Sequence, residues 1–342
     1  MLGGSASETE PLANSVYQGT VLGPPLWNTF FADARLAVEK HGFTETVFAD
    51  DLNAWKAFPT DPRPIDASDL HRVQRELHLW GCANQVLFDP SKESFHLLHR
   101  HLYWGENFKV LGCVYDAQLL MHAAARHVAT EAGWRLRTLL NSRRFFSTPE
   151  MMRLYKAQVL SFVESSTPAL YHAAPSVLEK IDRVQRRFLR ELGVSELEAL
   201  RGYRLAPLCS RRDMGMLGSL HKLNLGTAPD QLAVLFPIVG TVTEPLSLQR
   251  VRAWRPLHSK QLHTPVTFES TDLMQRSLFG LARCYNAMPQ RLVDISSVKG
   301  FQKALQDGLL RLAEQGAPDW QTLYSTAWKR FRRRAKLDEL FH

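Results

Sequence analysis

The chain has 342 residues, 45% apolar and 22% charged, which is enough to bury a substantial core and excludes a disordered, collagen-like or disulfide-scaffold protein. Its four cysteines, Cys82, Cys113, Cys209 and Cys284, stand far apart with no Cys-x-x-Cys, so a reducing compartment is expected rather than a disulfide framework or a paired-cysteine zinc site. The net charge of +8 is uneven: residues 1–120 hold 9 basic and 15 acidic residues, and the rest hold 33 and 19. An acidic front and a basic back suit a polyanion-handling protein, although charge also drifts along any long chain.

The first ten residues are small, polar and acidic, with no basic and apolar leader pattern, so no signal peptide is expected. No apolar run is long enough for a transmembrane helix. Gln18 to Asn28 carries two glycines and a Pro-Pro pair, which predicts a tight turn with Pro25 opening a helix. That helix continues through Phe30, Phe31, Ala34 and Val38 and stops at Gly42. Phe43 to Trp55 reads as a β-hairpin, with Asp50 and Asp51 at or beside its turn. A proline-rich loop follows. Asp66 or Ser68 then caps a helix with Leu70, Val73, Leu77 and Trp80 on one face, closed by Gly81. Phe95–Leu98 and Phe108–Gly112 read as short strands. Up to residue 116 the layout is helices on a small antiparallel sheet.

The remainder reads as helical. Helices are predicted over 120–140, from Thr148-Pro149-Glu150 onward, over 176–192, over 205–226 after Arg211-Arg212, and near 270–287 and 298–315. Residues 227–268 are irregular, and 328–336 form a very basic tail. No internal repeat is visible.

Asp50-Asp51 is the sharpest chemical feature. Paired carboxylates on a rigid hairpin can bind hard divalent cations, and two such ions clamp a phosphoryl displacement. The dipeptide alone is weak, because an exposed acidic turn has the same sequence. Its surroundings add weight. Gln18-Gly19-x-x-Leu22-Gly23-Pro24-x-Leu26 precedes Phe48-Ala49-Asp50-Asp51, and Trp80-Gly81, Asn84, Lys92 and Leu111-Gly112 follow in order. This ordered set closely resembles the reverse transcriptases of non-LTR retrotransposons. The resemblance extends through Leu178-Glu179-Lys180-Ile181 with Gln185-Arg186-Arg187-Phe188, Pro207-Leu208 with Arg211-Arg212, and Asn286-Ala287-Met288-Pro289.

The resemblance implies an α+β fold, with a partial polymerase palm over 1–116, a helical thumb and connection over 117–226, and a helical C-terminal region over 227–342. It implies RNA-directed DNA synthesis, with an RNA template, a DNA primer and a deoxynucleoside triphosphate as partners and no membrane. Gln18, Gly19, Gly23, Pro24, Phe48 and Ala49 would line the nucleotide and template pocket. Asp50 and Asp51 would hold Mg²⁺ in a two-metal site, and Lys92 would face the triphosphate. Leu111 and Gly112 would grip the primer end. The family places a further aspartate upstream of the Gln-Gly block, and none of the seventeen residues before Gln18 is an aspartate. The metal ligand set is therefore expected to be incomplete unless another chain supplies the missing half of the palm. Two function classes stand side by side: a polymerase domain inactive on its own, and a catalytically silent RNA or duplex binder. A relic with no retained role is the third.

Arg183, Arg186, Arg187 and Arg190 share one helix stripe, suited to sequence-independent phosphate contacts or to a solvated face paired with Glu179 and Glu191. The Lys329–Lys336 run suits nucleic-acid contact, nuclear import or an unstructured tail. Thirteen histidines, including His96, His99 and His101, lack zinc-finger spacing and read as surface or core residues. Trp80 and Trp134 are expected on apolar helix faces. No nucleophile elbow or phosphate-binding P-loop is present in the sequence.

Overall fold

The computed structural model describes residues 19–57, 68–98, 106–239, 258–263, 272–325 and 337–341. The fold is mixed α+β and mostly helical, with two small antiparallel sheets. The chain divides into two compact units, one ending at Phe95 and one beginning at His96.

In the first unit, the Thr20 hydroxyl accepts the Gly23 N–H at 3.1 Å and opens helix α1 (Gly23–Phe31), which starts two residues before Pro25. The helix predicted to run on to Val38 stops after Phe31 and resumes as α2 (Ala34–Glu39). Asp33 at the break gives its carboxylate to the Trp80 indole at 3.0 Å, and the Leu36 N–H bonds back to the Asp33 carbonyl in a tighter, three-residue step. Strands β1 (Thr44–Phe48) and β2 (Asp51–Trp55) form the expected antiparallel hairpin, in register from Thr44↔Trp55 to Phe48↔Asp51.

Helix α3 (Ser68–Asn84) runs through Gly81, the residue predicted to end it. The reason is packing. A Cβ at Gly81 would lie 2.5 Å from the Val86 carbonyl oxygen and 3.0 Å from the Phe88 ring, so glycine lets the returning chain close against the helix. Val38, Phe43 and Val73 form the small core, with Leu52, Ala54, Leu70 and Leu77 against it.

The second unit begins with a tight hairpin of β3 (Phe108–Val110) and β4 (Cys113–Tyr115). Phe95–Leu98, read as a strand, does not form one; within it only Leu97 makes an isolated bridge. The Asp116 carboxylate then accepts the N–H groups of Leu120 (2.9 Å) and Met121 (2.7 Å) ahead of α4 (His122–Asn141). Helix α5 (Thr148–Tyr155) is capped by Ser147, one residue before the predicted start, with the Ser147 N–H donating to Glu150 at 2.8 Å. A π-helical stretch, Lys156–Leu160, carries the chain into α6 (Ser161–Ser165) and α7 (Thr167–Leu170). There follow α8 (Pro175–Leu192), α9 (Glu196–Tyr203) and α10 (Leu208–Asn224), which already contains Arg211 and Arg212.

Helix α11 (Asp230–Leu235) and an Ile238–Leu262 bridge lie in the region read as irregular. The helix predicted near 270–287 is two, α12 (Asp272–Arg276) and α13 (Leu278–Tyr285). Ser277 between them is extended and accepts the Phe279 N–H at 3.2 Å, capping the second. Helices α14 (Gln290–Val293) and α15 (Val298–Glu314) complete the named helices. No helix among the described residues is long and apolar enough to cross a membrane.

Two cores fill this unit. The first joins α4, α5, the π-helical stretch and α8 around Leu136, Tyr155, Ile181 and Phe188; the second joins α10, α13 and α15 around Leu217, Tyr285, Phe301 and Leu309. Helix α10 enters the first core at Leu208 and continues through the second from Met214. At that junction Arg212 is buried and holds Asp182 with two bonds, at 2.5 and 2.9 Å. Next to it, the buried Tyr171 hydroxyl donates to Asp213 at 2.7 Å.

Candidate functional site

Pairing of Phe48 with Asp51 leaves Ala49 and Asp50 as a two-residue turn. The turn has φ of 54° at Ala49, a positive value usually left to glycine. An alanine there stores about 1 kcal/mol of strain, so something must hold the turn. Trp27 does part of this: its indole N–H donates to the Ala49 carbonyl at 2.7 Å. The same indole ring stacks on Phe31 at 5.3 Å, and Phe31 meets Trp80 edge-on at 5.2 Å. The glycine–proline helix is thereby fastened to the aspartate turn, while Asp50 and Asp51 are left exposed. The sequence pattern does not single out Trp27; its one sign is a tryptophan directly after a Gly-Pro-Pro-Leu helix start.

The other predicted residues are placed as follows. Gly19 has φ of +83° in the exposed approach to α1, Gly23 is the buried first residue of that helix, and Pro24 is exposed beside it. Phe48 is 64% exposed. Gln18 and the Lys329–Lys336 run lie outside the described residues. Lys92 sits on a 3₁₀ turn, Pro90–Lys92, with its amine 3.8 Å from Asp89. The Ser91 hydroxyl, and then its N–H, hold the Asp89 carboxyl below its ordinary range. Among the described residues no hydrogen bond or ion pair joins Lys92 to Asp50 or Asp51. Leu111 and Gly112 are the exposed turn of the β3–β4 hairpin, both with positive φ (47° and 82°), the pattern of a I′ turn.

Asp50 and Asp51 offer the hard oxygen donors Mg²⁺ prefers. Mg²⁺ commonly binds one or two carboxylates together with substrate phosphates and keeps several waters, and an exposed hairpin tip leaves room for both. No group of three or more His, Cys, Asp or Glu residues suited to a metal ion is found among the described residues. His221 and His258 are core residues. His221 stacks on Phe301 at 4.1 Å, and its two ring nitrogens lie 3.0 Å from the Tyr285 hydroxyl and 2.7 Å from the Ile295 carbonyl. Burial pushes its pKa down, partly offset by the Ile295 bond. His96 packs on Phe108 at 4.3 Å, and His99 and His101 lie outside the described residues.

The arginine stripe of α8 is exposed at all four positions but divides in two. Arg183 and Arg186 both reach Glu179. Burial works to raise that carboxyl, and the two guanidiniums outweigh it and bring it below its ordinary range. Glu191 pairs not with the stripe but with Arg143, at 2.8 Å. Arg187 and Arg190 have no ion-pair partner among the described residues. Arg211 and Arg212, which looked family-typical, tie helices together through Glu164 and Asp182.

Trp134, expected on an apolar face, is 63% exposed. The buried face of α4 runs through Ala125, Val128, Ala132, Leu136 and Leu139, and Trp134 falls off that stripe.

No family model, no curated protein and no solved structure matches this chain.

Proposed function

We propose that the chain is the palm-to-thumb portion of an RNA-directed DNA polymerase of the non-LTR retrotransposon kind. On this reading Asp50 and Asp51 hold Mg²⁺ at the hairpin tip, and the basic helical unit holds the template–primer backbone. The observation that carries the proposal is the Phe-Ala-Asp-Asp turn itself. It stands exposed at the end of a two-stranded hairpin and is hydrogen-bonded through Trp27 to the Gly-Pro-Pro helix that the resemblance pairs with it.

Gly19, Gly23, Pro24, Phe48 and Ala49 would shape the nucleotide side of this turn, with Gln18 completing the block. Leu111 and Gly112 would meet the primer end, and Lys92 the triphosphate. Bound Mg²⁺ supplies charge neutralisation for phosphoryl oxygens. With two carboxylates and no third one grouped with them among the described residues, the chain alone is expected to bind template–primer without extending it.

The test is primer extension on an RNA template with Mg²⁺, run beside a salt titration of template–primer binding. Salt-dependent binding without extension is the expected result. Extension lost in Asp50→Asn/Asp51→Asn would contradict the expected inactivity while supporting the assignment to this polymerase kind. Absence of both binding and extension would overturn the proposal.

A further inference from the structure

The C-terminal end of α4 and the 3₁₀ turn after it (Arg143–Phe145) meet α8 at a polar cleft of about 350 Å³. Arg137, Leu140, Asn141, Arg143, Arg187 and Glu191 line it. Three guanidiniums against one carboxylate leave a local excess of two positive charges. Glu191 is engaged by Arg143, and Arg187 has no ion-pair partner among the described residues. An anion entering the cleft therefore meets a guanidinium on α8 that has no carboxylate to give up, with Arg137 and the Asn141 amide as further donors on α4.

Exposed aromatic side chains on the same elements decide which anion. Trp134 lies on the same face of α4 as Arg137 and Asn141, at i, i+3 and i+7, and is 63% exposed. The Arg137 guanidinium lies 5.6 Å from its ring centre. Phe145, on the turn that delivers Arg143, is 69% exposed, with the Arg144 guanidinium 4.7 Å from its ring centre. Exposed aromatic faces beside clustered guanidiniums match a strand that presents alternating bases and phosphates. A duplex keeps its bases stacked inside, and a free phosphate has none to offer.

We propose that this cleft binds single-stranded nucleic acid, with backbone phosphates at Arg137, Arg143 and Arg187 and a base stacked on Trp134. The inference rests on the proposed nucleic-acid role of the helical unit but not on metal at Asp50 and Asp51, because every group it uses lies on α4, α8 and the turn between α4 and α5.

The experiment is fluorescence anisotropy of the full chain with a short labelled oligouridylate, against a blunt duplex of equal charge, in EDTA. Single strand is expected to bind more tightly than duplex. Trp134→Ala should weaken single-strand binding about ten-fold, with Trp134→Phe retaining most of it. Arg137→Gln/Arg187→Gln should weaken it and lower the salt slope by about 1.4. Glu191→Gln, which releases Arg143, should tighten it. Lys299→Gln/Lys303→Gln removes two exposed charges on α15 and should have little effect. Equal weakening by that control, or equal weakening of duplex binding by Trp134→Ala, would reduce the binding to diffuse charge and overturn the proposal.

Discussion

The two units are built on opposite scales. Among the described residues of the first, the buried apolar side chains are Phe31, Ala34, Val38, Phe43 and Val73, while Leu26, Phe30, Phe48 and Trp55 are exposed. The second is held by two extensive cores that share helix α10 and by the pairing of buried Arg212 with half-buried Asp182 at their junction. Apolar burial is the main favourable term in folding, so on the described residues the second unit is expected to be the more stable of the two. The first unit, which carries the aspartate turn, depends on a few specific contacts such as Trp27 to Ala49. The contrast separates stability from candidate chemistry, and it can be tested.

The largest effect is expected from Phe188→Ala. Phe188 is fully buried and stacked on Tyr155 at 4.2 Å, so its loss should destabilise the second unit by about 3–5 kcal/mol in urea unfolding. Arg212→Ala should cost a comparable ~3–5 kcal/mol, because Asp182 is left largely buried without its partner. In contrast, the Lys56–Asp69 pair of the first unit is about one-third exposed on both sides. Asp69→Asn there should cost no more than about 1 kcal/mol. If Asp69→Asn matched Arg212→Ala, the contrast between the units would fail.

Acidification should act mainly on the second unit. His172, His221 and His258 all have pKa values lowered by burial in the fold. Below about pH 6.5 the unfolded chain takes up protons that these folded histidines resist. Their contribution is therefore fully present above that pH and is lost as pH falls. Urea midpoints should drop between about pH 7.5 and about pH 5.5, and His221→Gln should shallow that dependence.

The smallest effects belong to the hairpin. Trp27→Phe keeps the ring but removes the bond to Ala49, at an expected ~0.5–1.5 kcal/mol to the first unit. Ala49→Gly should go the other way, releasing up to about 1 kcal/mol of strain. Hydrogen exchange of the β1 and β2 amides reads both.

Local signals carried much of the fold. The hairpin at Thr44–Trp55, helix α4 and the buried face of α8 were visible because alternation, capping residues and apolar spacing are encoded by near neighbours. The errors arose where distant contacts decide. Gly81 looked like a helix stop, and only the returning Phe88 explains why the helix continues. Asp33 breaks a helix while Trp80, far along the chain, takes its carboxylate. Trp134 reads as a packing residue because hydrophobicity alone does not reveal which face of α4 the core uses. Within the candidate site, the aspartate turn was legible from its motif. Trp27 was not, nor was the cleft of Arg137, Arg143 and Arg187, because three arginines from two helices and a turn share no sequence pattern.

The most direct test of the account is Mn²⁺ titration of the chain, followed by the loss of the free-ion paramagnetic signal, with Asp50→Asn/Asp51→Asn alongside. Mn²⁺ uptake beyond the triphosphate's own binding is expected, strengthened by a deoxynucleoside triphosphate and lost in the double variant. Equal uptake by the double variant, or none by the wild type, would contradict a metal-holding role for the hairpin.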